Sequence, residues 1–502
     1  MKKNILAMAV ILNCSFAMAQ TEFDALKMIQ PDINGTARYM GMAGAFGALG
    51  GDASAIKDNP AGLGIYRSSE ITTTLDLSLQ SSKSVWNGTT ANDNLDNLRF
   101  NNFSYVKATP TYRSLSSDQG LLSSNWSFSY NRLKSFNRNS TVKSGQSSSS
   151  ISDYMAYFTQ GITSSDLTYV PGHEPFNNIN IPWISIIGYE NGLIKQSATN
   201  DVNSWVSNIN TMVIPTYTLH ETGYIDEYSI GWAGNFSNRF YLGTTLNVQS
   251  VNYNARSVYS ETYGGGNTYL DNNISTTGTG VNLNIGAIVR PIDMLRLGVS
   301  IHTPTIYSMT DNHYTNYNDN AITQTAPSTN YQLSSPWKFN GSAAVIIGQK
   351  GLISMEYDYA LNSNAKFYDE DGNAQSFSYE NTGIKTMLKD IQTIKVGAEY
   401  RLTENFSLRA GYAYMNGATN NEEAHKVMIP NTSRTDTEYF QNNRTDYITA
   451  GFGYREANWY IDFAYMNKSL DETFYPYNLT SVNSASVKTT TNNLIVTLGL
   501  KF

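Results

Sequence analysis

From Leu494 to Phe502 every even position is apolar (Leu494, Val496, Leu498, Leu500, Phe502), while Thr497, Gly499 and Lys501 fill the gaps. A period of two puts alternate side chains on opposite faces of an extended strand, so this segment has one greasy face and one that can meet water. The pattern recurs over Ile71–Leu79, Tyr228–Trp232, Phe240–Val248, Val281–Val289, Leu295–Ile301, Trp337–Ile347, Ile353–Tyr359, Ile394–Tyr400, Phe406–Tyr414, Ile448–Tyr454 and Trp459–Tyr465. Charges inside these runs, Asp76, Arg290, Arg296, Lys338, Glu356, Asp358, Lys395, Glu399, Arg401, Arg409 and Asp462, all take the parity opposite to the apolar set. A charge facing the bilayer midplane costs roughly 2–4 kcal/mol on a barrel, and segregation this strict is what lipid demands. The expected fold class is all-β, a transmembrane antiparallel β-barrel of about 14 strands.

Composition fits that class and removes others. The 502 residues are 15% charged, against about 25% in soluble domains, with 35 Tyr and 37 Gly. Mean hydropathy is −0.36, and no stretch approaches the roughly 18–20 consecutive apolar residues of a membrane helix. Net charge is −7, and −9 once Lys2 and Lys3 are gone, with 32 basic against 41 acidic residues, which argues against nucleic acid as a partner. Lys2-Lys3, the apolar run Ile5–Phe16 and Ala17-Met18-Ala19 before Gln20 read as a secretory signal, residues 1–19. Asn13 before Cys14 is a poor match to lipoprotein processing. Cleavage after Ala19 removes the only cysteine, and with it disulfides, thiol nucleophiles and thiolate metal ligands.

Adding weaker candidates near Phe103 and Trp126, the runs give fourteen strands, at about 69–82, 99–109, 123–136, 223–236, 239–256, 277–291, 294–308, 335–348, 350–363, 390–402, 405–418, 443–456, 458–470 and 488–502. Connections after even-numbered strands are mostly tight, whereas those after odd-numbered strands run from about 16 to about 86 residues. Short periplasmic turns, long outer loops and both termini inside fix the orientation. In the second strand Phe100, Phe103, Tyr105 and Val106 keep no single parity. The third changes phase, with Trp126, Phe128 and Tyr130 even and Leu133 odd, so a bulge that kinks the wall is expected at Asn131, Arg132 and Leu133.

Residues 20–67 do not alternate. They carry Gly41, Gly44, Gly47 and Gly50 at every third position, then Asp58-Asn59-Pro60-Ala61-Gly62-Leu63-Gly64. Small residues at that spacing permit close backbone packing, and a fourteen-stranded lumen is wide enough to need filling. A nucleotide-loop reading fails because no Lys-Ser/Thr follows and no strand precedes; Asn59-Pro60 also reads as a simple turn before the first strand.

The signal, the Met40-Gly41-Met42-Ala43-Gly44-Ala45-Phe46 segment, Asp52-Ala53-Ser54, Asn59-Pro60-Ala61-Gly62-Leu63, fourteen strands and the terminal Phe502 together resemble the FadL family, outer-membrane transporters for long-chain fatty acids and other hydrophobic compounds. Gly278-Thr279-Gly280-Val281-Asn282, Arg290-Pro291 and Leu297-Gly298-Val299 are similar to that family too. The resemblance implies a barrel (residues 68–502) plugged by a hatch (20–67) containing Asn59, Pro60 and Ala61. It implies capture by outer loops, a lumenal pocket beside the hatch and sideways exit at a kinked third strand. It further implies location in the outer membrane of a Gram-negative bacterium, a monomer in contact with outer-membrane lipid, and recognition of Phe502 by the barrel-assembly machinery. Pocket candidates are Met42, Phe46 and Leu63 in the hatch and Ile288, Leu352, Tyr447 and Tyr460 of lumen parity, each of which could equally be hatch-to-wall packing. Lumenal Arg409 or Lys395 could meet a carboxylate head group, or pair with Glu399, Glu356 or Asp358.

The longest connection, about 137–222, departs from the family pattern. It opens Ser-rich and carries Tyr154-Met155-Ala156-Tyr157-Phe158 and Pro182-Trp183-Ile184-Ser185-Ile186-Ile187, which is either a packed cap or an apolar landing site. Ser300 and His302 share a strand face at nucleophile–base spacing, but with lumen parity, away from bilayer lipid. Five dispersed His (His173, His220, His302, His313, His425) support neither metal nor haem. No enzyme, cofactor or metal site is expected. Haem uptake, a general small-solute porin and a surface adhesin or scaffold stand as alternatives.

Overall fold

The computed structural model describes residues 20–115, 118–198, 203–318, 322–348, 350–420 and 433–502; the expected signal peptide lies outside them. Fourteen wall strands follow in order: β1 (Glu70–Trp86), β2 (Thr89–Lys107), β3 (Leu121–Ser135, resumed at Arg138–Lys143), β4 (Ile214–Phe236), β5 (Phe240–Tyr263), β6 (Gly266–Ile292), β7 (Leu295–His302, resumed at Ile306–Tyr317), β8 (Thr329–Ser334 with Lys338–Ile347), β9 (Gly351–Ala360 with Lys366–Tyr368), β10 (Ile391–Arg401), β11 (Phe406–Asn416), β12 (Tyr439–Arg455), β13 (Trp459–Tyr475) and β14 (Ala485–Lys501). Each pairs antiparallel with the next. β14 returns to β1 from Lys501↔Glu70 to Ser486↔Val85, so the sheet closes on itself. The parity read from sequence holds: Leu498 on β14 is 51% exposed and its neighbour Thr497 1%.

The strands run further outward than the hydrophobic period. Segments 83–98 and 257–276, expected as outer loops, are ladder up to turns at Asn87-Gly88 and Gly264-Gly265. Residues 471–475 and 485–487, also expected as loop, are strand in β13 and β14. Above the bilayer both faces of a strand meet water, so a run such as Thr89–Asn97 loses its apolar alternation while its backbone pairing continues.

Two irregularities explain the lost parities. In β2, Thr74 faces Asn102 and Leu75 faces Phe100, leaving Asn101 as an extra residue. In β3, Arg132 faces Asp226 and Lys134 faces Ile225, so Leu133 is the bulged residue.

The long connection is a folded cap over residues 144–198 and 203–213. Helix α3 (Ile151–Thr159) starts with a capping box between Ser150 and Asp153. A second helix, α4 (Trp183–Glu190), uses the Pro182–Ile187 run, whose apolar side chains are buried. Met155, Ile187 and Trp205 from the cap share one hydrophobic cluster with Trp86, Tyr217 and Phe474 from the wall. The loop's apolar surface is therefore mostly spent on packing, although Tyr157 stays 63% exposed. At the other end, residues 20–66 lie among the lumen-facing side chains, with helix α1 (Glu22–Ile29) above and the short α2 (Ala37–Met40) against β12–β14.

Candidate functional site

The hatch segment rests on missing side chains. A Cβ on lumen-facing Gly286 would lie 2.0 Å from Asn59 Oδ1, on Gly243 2.4 Å from the Pro60 carbonyl oxygen, and on Gly298 and Gly397 2.6 Å from the carbonyl oxygens of Gly47 and Met42. These wall glycines let the hatch backbone approach where any other residue would stand in its way. Asn59 caps the turn Pro60–Ile65, its Oδ1 accepting from Ala61 N–H at 3.1 Å. Its Nδ2 donates to Gly47 O at 2.7 Å and to Ala287 O at 3.3 Å. Asn59-Pro60 is thus both the turn its sequence suggests and the tie between hatch and wall.

Charge completes the seat. Arg38 Nε lies 2.9 Å and Arg409 Nε 2.6 Å from Glu399 Oε2, while Arg409 Nη1 lies 2.6 Å from Asp462 Oδ1. Glu356 accepts the N–H groups of Phe46 at 3.1 Å and Gly47 at 2.6 Å and pairs with Lys395 at 2.7 Å; Lys395 also meets Asp358 at 2.7 Å. Arg409 and Lys395 are fully engaged in holding this seat. Ser300 Oγ donates to Asp58 O at 2.5 Å and His302 Nε2 lies 2.8 Å from the same oxygen, so that pair also fastens the hatch.

Above the hatch lie two cavities. The outer one, about 240 Å³, sits between α1, the wall and residues 434–442. The inner one, about 170 Å³, reaches from Met28 and Ile29 down to Lys57, Asp58 and Lys338. Gln30-Pro31-Asp32 divides them, and Asp32 borders both as well as a third space of about 40 Å³ bordered by Leu95, Asn97 and Arg99 on β2, Ser135 on β3 and Asn137 in the interruption of β3. Tyr447 donates to Asp32 Oδ1 and Lys468 to Oδ2, each at 2.8 Å.

Beside that third space, which Gln80, Lys468 and Thr491 also line, the wall is broken. β2 and β3 pair only from Asn102↔Asn131 to Lys107↔Trp126. Beyond the bulge, Arg132 turns to Asp226 at 2.8 Å, and Asn34 of the hatch donates to Leu133 O at 3.2 Å. Lys134 Nζ donates to Lys27 O of α1 at 2.7 Å. Above it, Ser84 of β1 donates to Thr141 O of β3 at 2.7 Å. Asn131 accepts from Asn102 at 2.8 Å at the lower corner, and Leu133 borders the inner cavity.

Of the pocket candidates, Met42, Phe46, Leu63 and Ile288 are 0% exposed and packed between hatch and wall, with Leu352 against the same surface. Tyr460 donates to Glu70 at 2.8 Å. Only Tyr447 among the seven borders a cavity. Sequence reading missed Asp32, Lys134 and Glu438 as lining groups. Lys134 was discoverable beside the phase break, whereas Asp32 and Glu438 sit in segments without any period.

A closed outer-membrane barrel with a filled base, stacked lumenal cavities and a broken wall belongs to the class of channels for hydrophobic compounds. Residues 225–498 match the family model described as outer membrane protein transport protein (OMPP1/FadL/TodX), and the chain belongs to that family. A Pseudomonas aeruginosa FadL homologue superposes with a TM-score of 0.53 at 12% identity, covering 94% of this chain and 99% of its own. The Pseudomonas putida toluene transporter TodX gives 0.52 at 11%, covering 94% and 100%. The Ralstonia pickettii toluene transporter TbuX gives 0.50 at 12%, covering 94% and 99%. No curated protein matches the chain in sequence. The protein is an outer-membrane channel of a Gram-negative bacterium, crossing by its strands.

Proposed function

We propose that the channel carries long-chain fatty acids or similar hydrophobic amphiphiles passively, from the outer cavity past Asp32 to the inner cavity, and releases them sideways between β2 and β3. In this reading residues 20–67 act as a plug that blocks the periplasmic end, and Phe502 is the signal read during assembly. The observation that carries the reading is the single residue Asp32 bordering both cavities and the wall break. An amphiphile cannot dissolve through a polysaccharide-covered leaflet, and a conduit with apolar walls lowers that barrier.

Head-group chemistry favours an anion over a neutral hydrocarbon such as toluene. Lys338 borders the inner cavity and, among the described residues, has no hydrogen bond or carboxylate within ion-pair distance. A free ammonium in an enclosed site suits a carboxylate.

The test is uptake of a labelled long-chain fatty acid by cells lacking their own route. They would express the protein with Asn97→Cys and Ser135→Cys, one on each side of the break and both lining the third space, in a chain whose only other cysteine is Cys14. Uptake under reducing conditions that stops on oxidation supports sideways release. Equal uptake in both states removes it, and absence of uptake in the parent protein removes the fatty-acid reading. Dodecanoate should bind more tightly than toluene, and Lys338→Met should abolish that preference.

A further inference from the structure

The outer cavity is bordered by paired charges with two exceptions, Lys134, whose ammonium donates to Lys27 O, and Glu438. Asp24 lies 2.7 Å from Arg434, Glu221 2.7 Å from Lys27, Glu472 2.7 Å from Arg138 and Asp32 2.8 Å from Lys468. Glu438 borders the same space, yet both of its carboxylate oxygens are sealed from bulk water and hydrogen-bonded to nothing among the described residues. The Ser257 hydroxyl is near but outside hydrogen-bonding geometry. The segment is not slack: Thr437 Oγ1 donates to Pro476 O at 2.7 Å, Thr435 Oγ1 donates to Thr315 at 2.9 Å, and Arg434 is clamped to Asp436. Around the same cavity Gln80 Oε1, Asn442 Oδ1 and the Thr445 and Thr489 hydroxyls are also without partners. The unused polar atoms here are mostly carbonyl or carboxylate acceptors and hydroxyls; the donors among them are Asn272 Nδ2 and Arg138 Nε and Nη2, the last of which lies against Glu472. Buried polar groups are nearly always satisfied in the working state of a protein, and one left open in a binding cavity marks where a ligand's group belongs.

Building on the conduit reading above, we propose that the outer cavity admits amphiphiles whose polar part donates hydrogen bonds, a protonated amine or a hydroxyl, and that Glu438 is the acceptor that receives it. Phe23, Tyr253, Phe440 and Leu470 provide the apolar wall for the chain. Arg434 beside Glu438 is already held by Asp24 and Asp436, so it does not compete for this carboxylate. A hydroxylated fatty acid meets both requirements, offering a donor to Glu438 and a carboxylate to Lys338.

The full-length protein in non-ionic detergent, with a bound fluorescent acyl probe displaced by dodecylamine, dodecanol or dodecanoate, tests this. Glu438→Gln keeps an acceptor but removes the charge; it should weaken dodecylamine by about tenfold, the worth of a charge-assisted over a neutral bond, and leave dodecanol and dodecanoate within about twofold. Glu438→Leu should weaken dodecylamine and dodecanol together, and so separates the amine from the hydroxyl source. Glu438→Asp keeps the charge and should retain most amine binding, which guards against a merely misfolded Gln variant. Heat-modifiable gel migration confirms that each barrel is assembled. Equal loss of all three ligands, or no loss of any, overturns the assignment to Glu438 while leaving the conduit in place. Failure of every ligand to displace the probe from the parent protein overturns the conduit reading itself.

Discussion

The two ends of the lumen are closed by opposite means. At the base, the hatch backbone lies against wall glycines and is pinned by buried ion pairs, with Glu399 shared between Arg38 and Arg409 and Glu356 bonded to two hatch N–H groups. At the mouth, the cap is held by side-chain volume, with Met155, Ile187 and Trp205 continuous with Trp86, Tyr217 and Phe474. Directional bonds hold one arrangement and fail abruptly when a partner is lost. Hydrophobic contact is non-directional and degrades by degrees. The base is therefore built as a fixed floor and the mouth as a closure that can loosen in parts.

Removing an ion from the floor should have the largest effect. Arg409→Leu leaves Glu399 with Arg38 alone and Asp462 without its cation, at 14% and 2% side-chain exposure. Breaking a buried pair from one side costs about 3–5 kcal/mol. The expected outcome is a displaced hatch and greater entry of antibiotics normally excluded by size, at unchanged surface abundance. Unaltered susceptibility would mean that the ion pairs do not hold the floor.

In the cap, Ile187→Ala removes a fully buried side chain and should cost about 2–5 kcal/mol. Its damage should stay local: faster amide exchange or proteolysis over the cap with antibiotic exclusion intact. If this variant leaks like the Arg409 variant, the two closures are not independent. A smaller change, Gly286→Ala, adds one carbon where Asn59 Oδ1 sits 2.0 Å from the ideal Cβ position. Overpacking of this kind costs about 1–3 kcal/mol, and a milder leak than that of Arg409→Leu should follow.

The same contrast explains what the sequence could disclose. Lipid imposes a strict rule on outward side chains, so Leu494–Phe502 or Phe240–Val248 reveal strand, face and order without reference to anything else. The break at Leu133 was readable because a bulge shifts that rule by one residue. Above the bilayer the rule lapses, and Thr89–Asn97 looked like a loop although it is paired with β1. The seat of the hatch was half legible. The glycines inside residues 41–50 suggested close packing, but those receiving it, Gly243, Gly286, Gly298 and Gly397, are scattered over four strands whose lumen positions tolerate any polar or small residue. Met42, Phe46 and Leu63 were candidate ligand contacts for their apolar character, which serves packing against the wall as readily. The groups around the cavities come from the aperiodic segments 20–33 and 433–438, where only folding brings Asp32 to Lys468 and Glu438 to Tyr217.

The finest expected difference between the two ends is in their response to pH. The floor carboxylates Glu399 and Asp462 share guanidinium partners, whereas Glu438 at the mouth has none of its own. Burial, and then the neighbouring Asp436, push the Glu438 carboxyl up to about 7. Asp436 and Arg434, the charged groups beside it, do not titrate in that range. Asp436, though buried, is held below the usual carboxylate range by Arg434, the guanidinium stays charged, and Tyr217, Tyr259 and Tyr154 are pushed above the usual phenol range by burial. A primary amine on a twelve-carbon chain remains protonated well past neutrality, as lysine does at about 10.4. Raising the pH from 6 to 8 therefore ionises the acceptor without discharging the ligand, and dodecylamine affinity should rise, by up to about tenfold if the charge-assisted bond carries the preference. Dodecanol affinity should change by less, because a carboxylic acid and a carboxylate both accept from a hydroxyl. In Glu438→Gln the amine's rise should vanish while exclusion by the hatch stays flat across the same range. A rise that persists in that variant would place the titrating group elsewhere in the outer cavity.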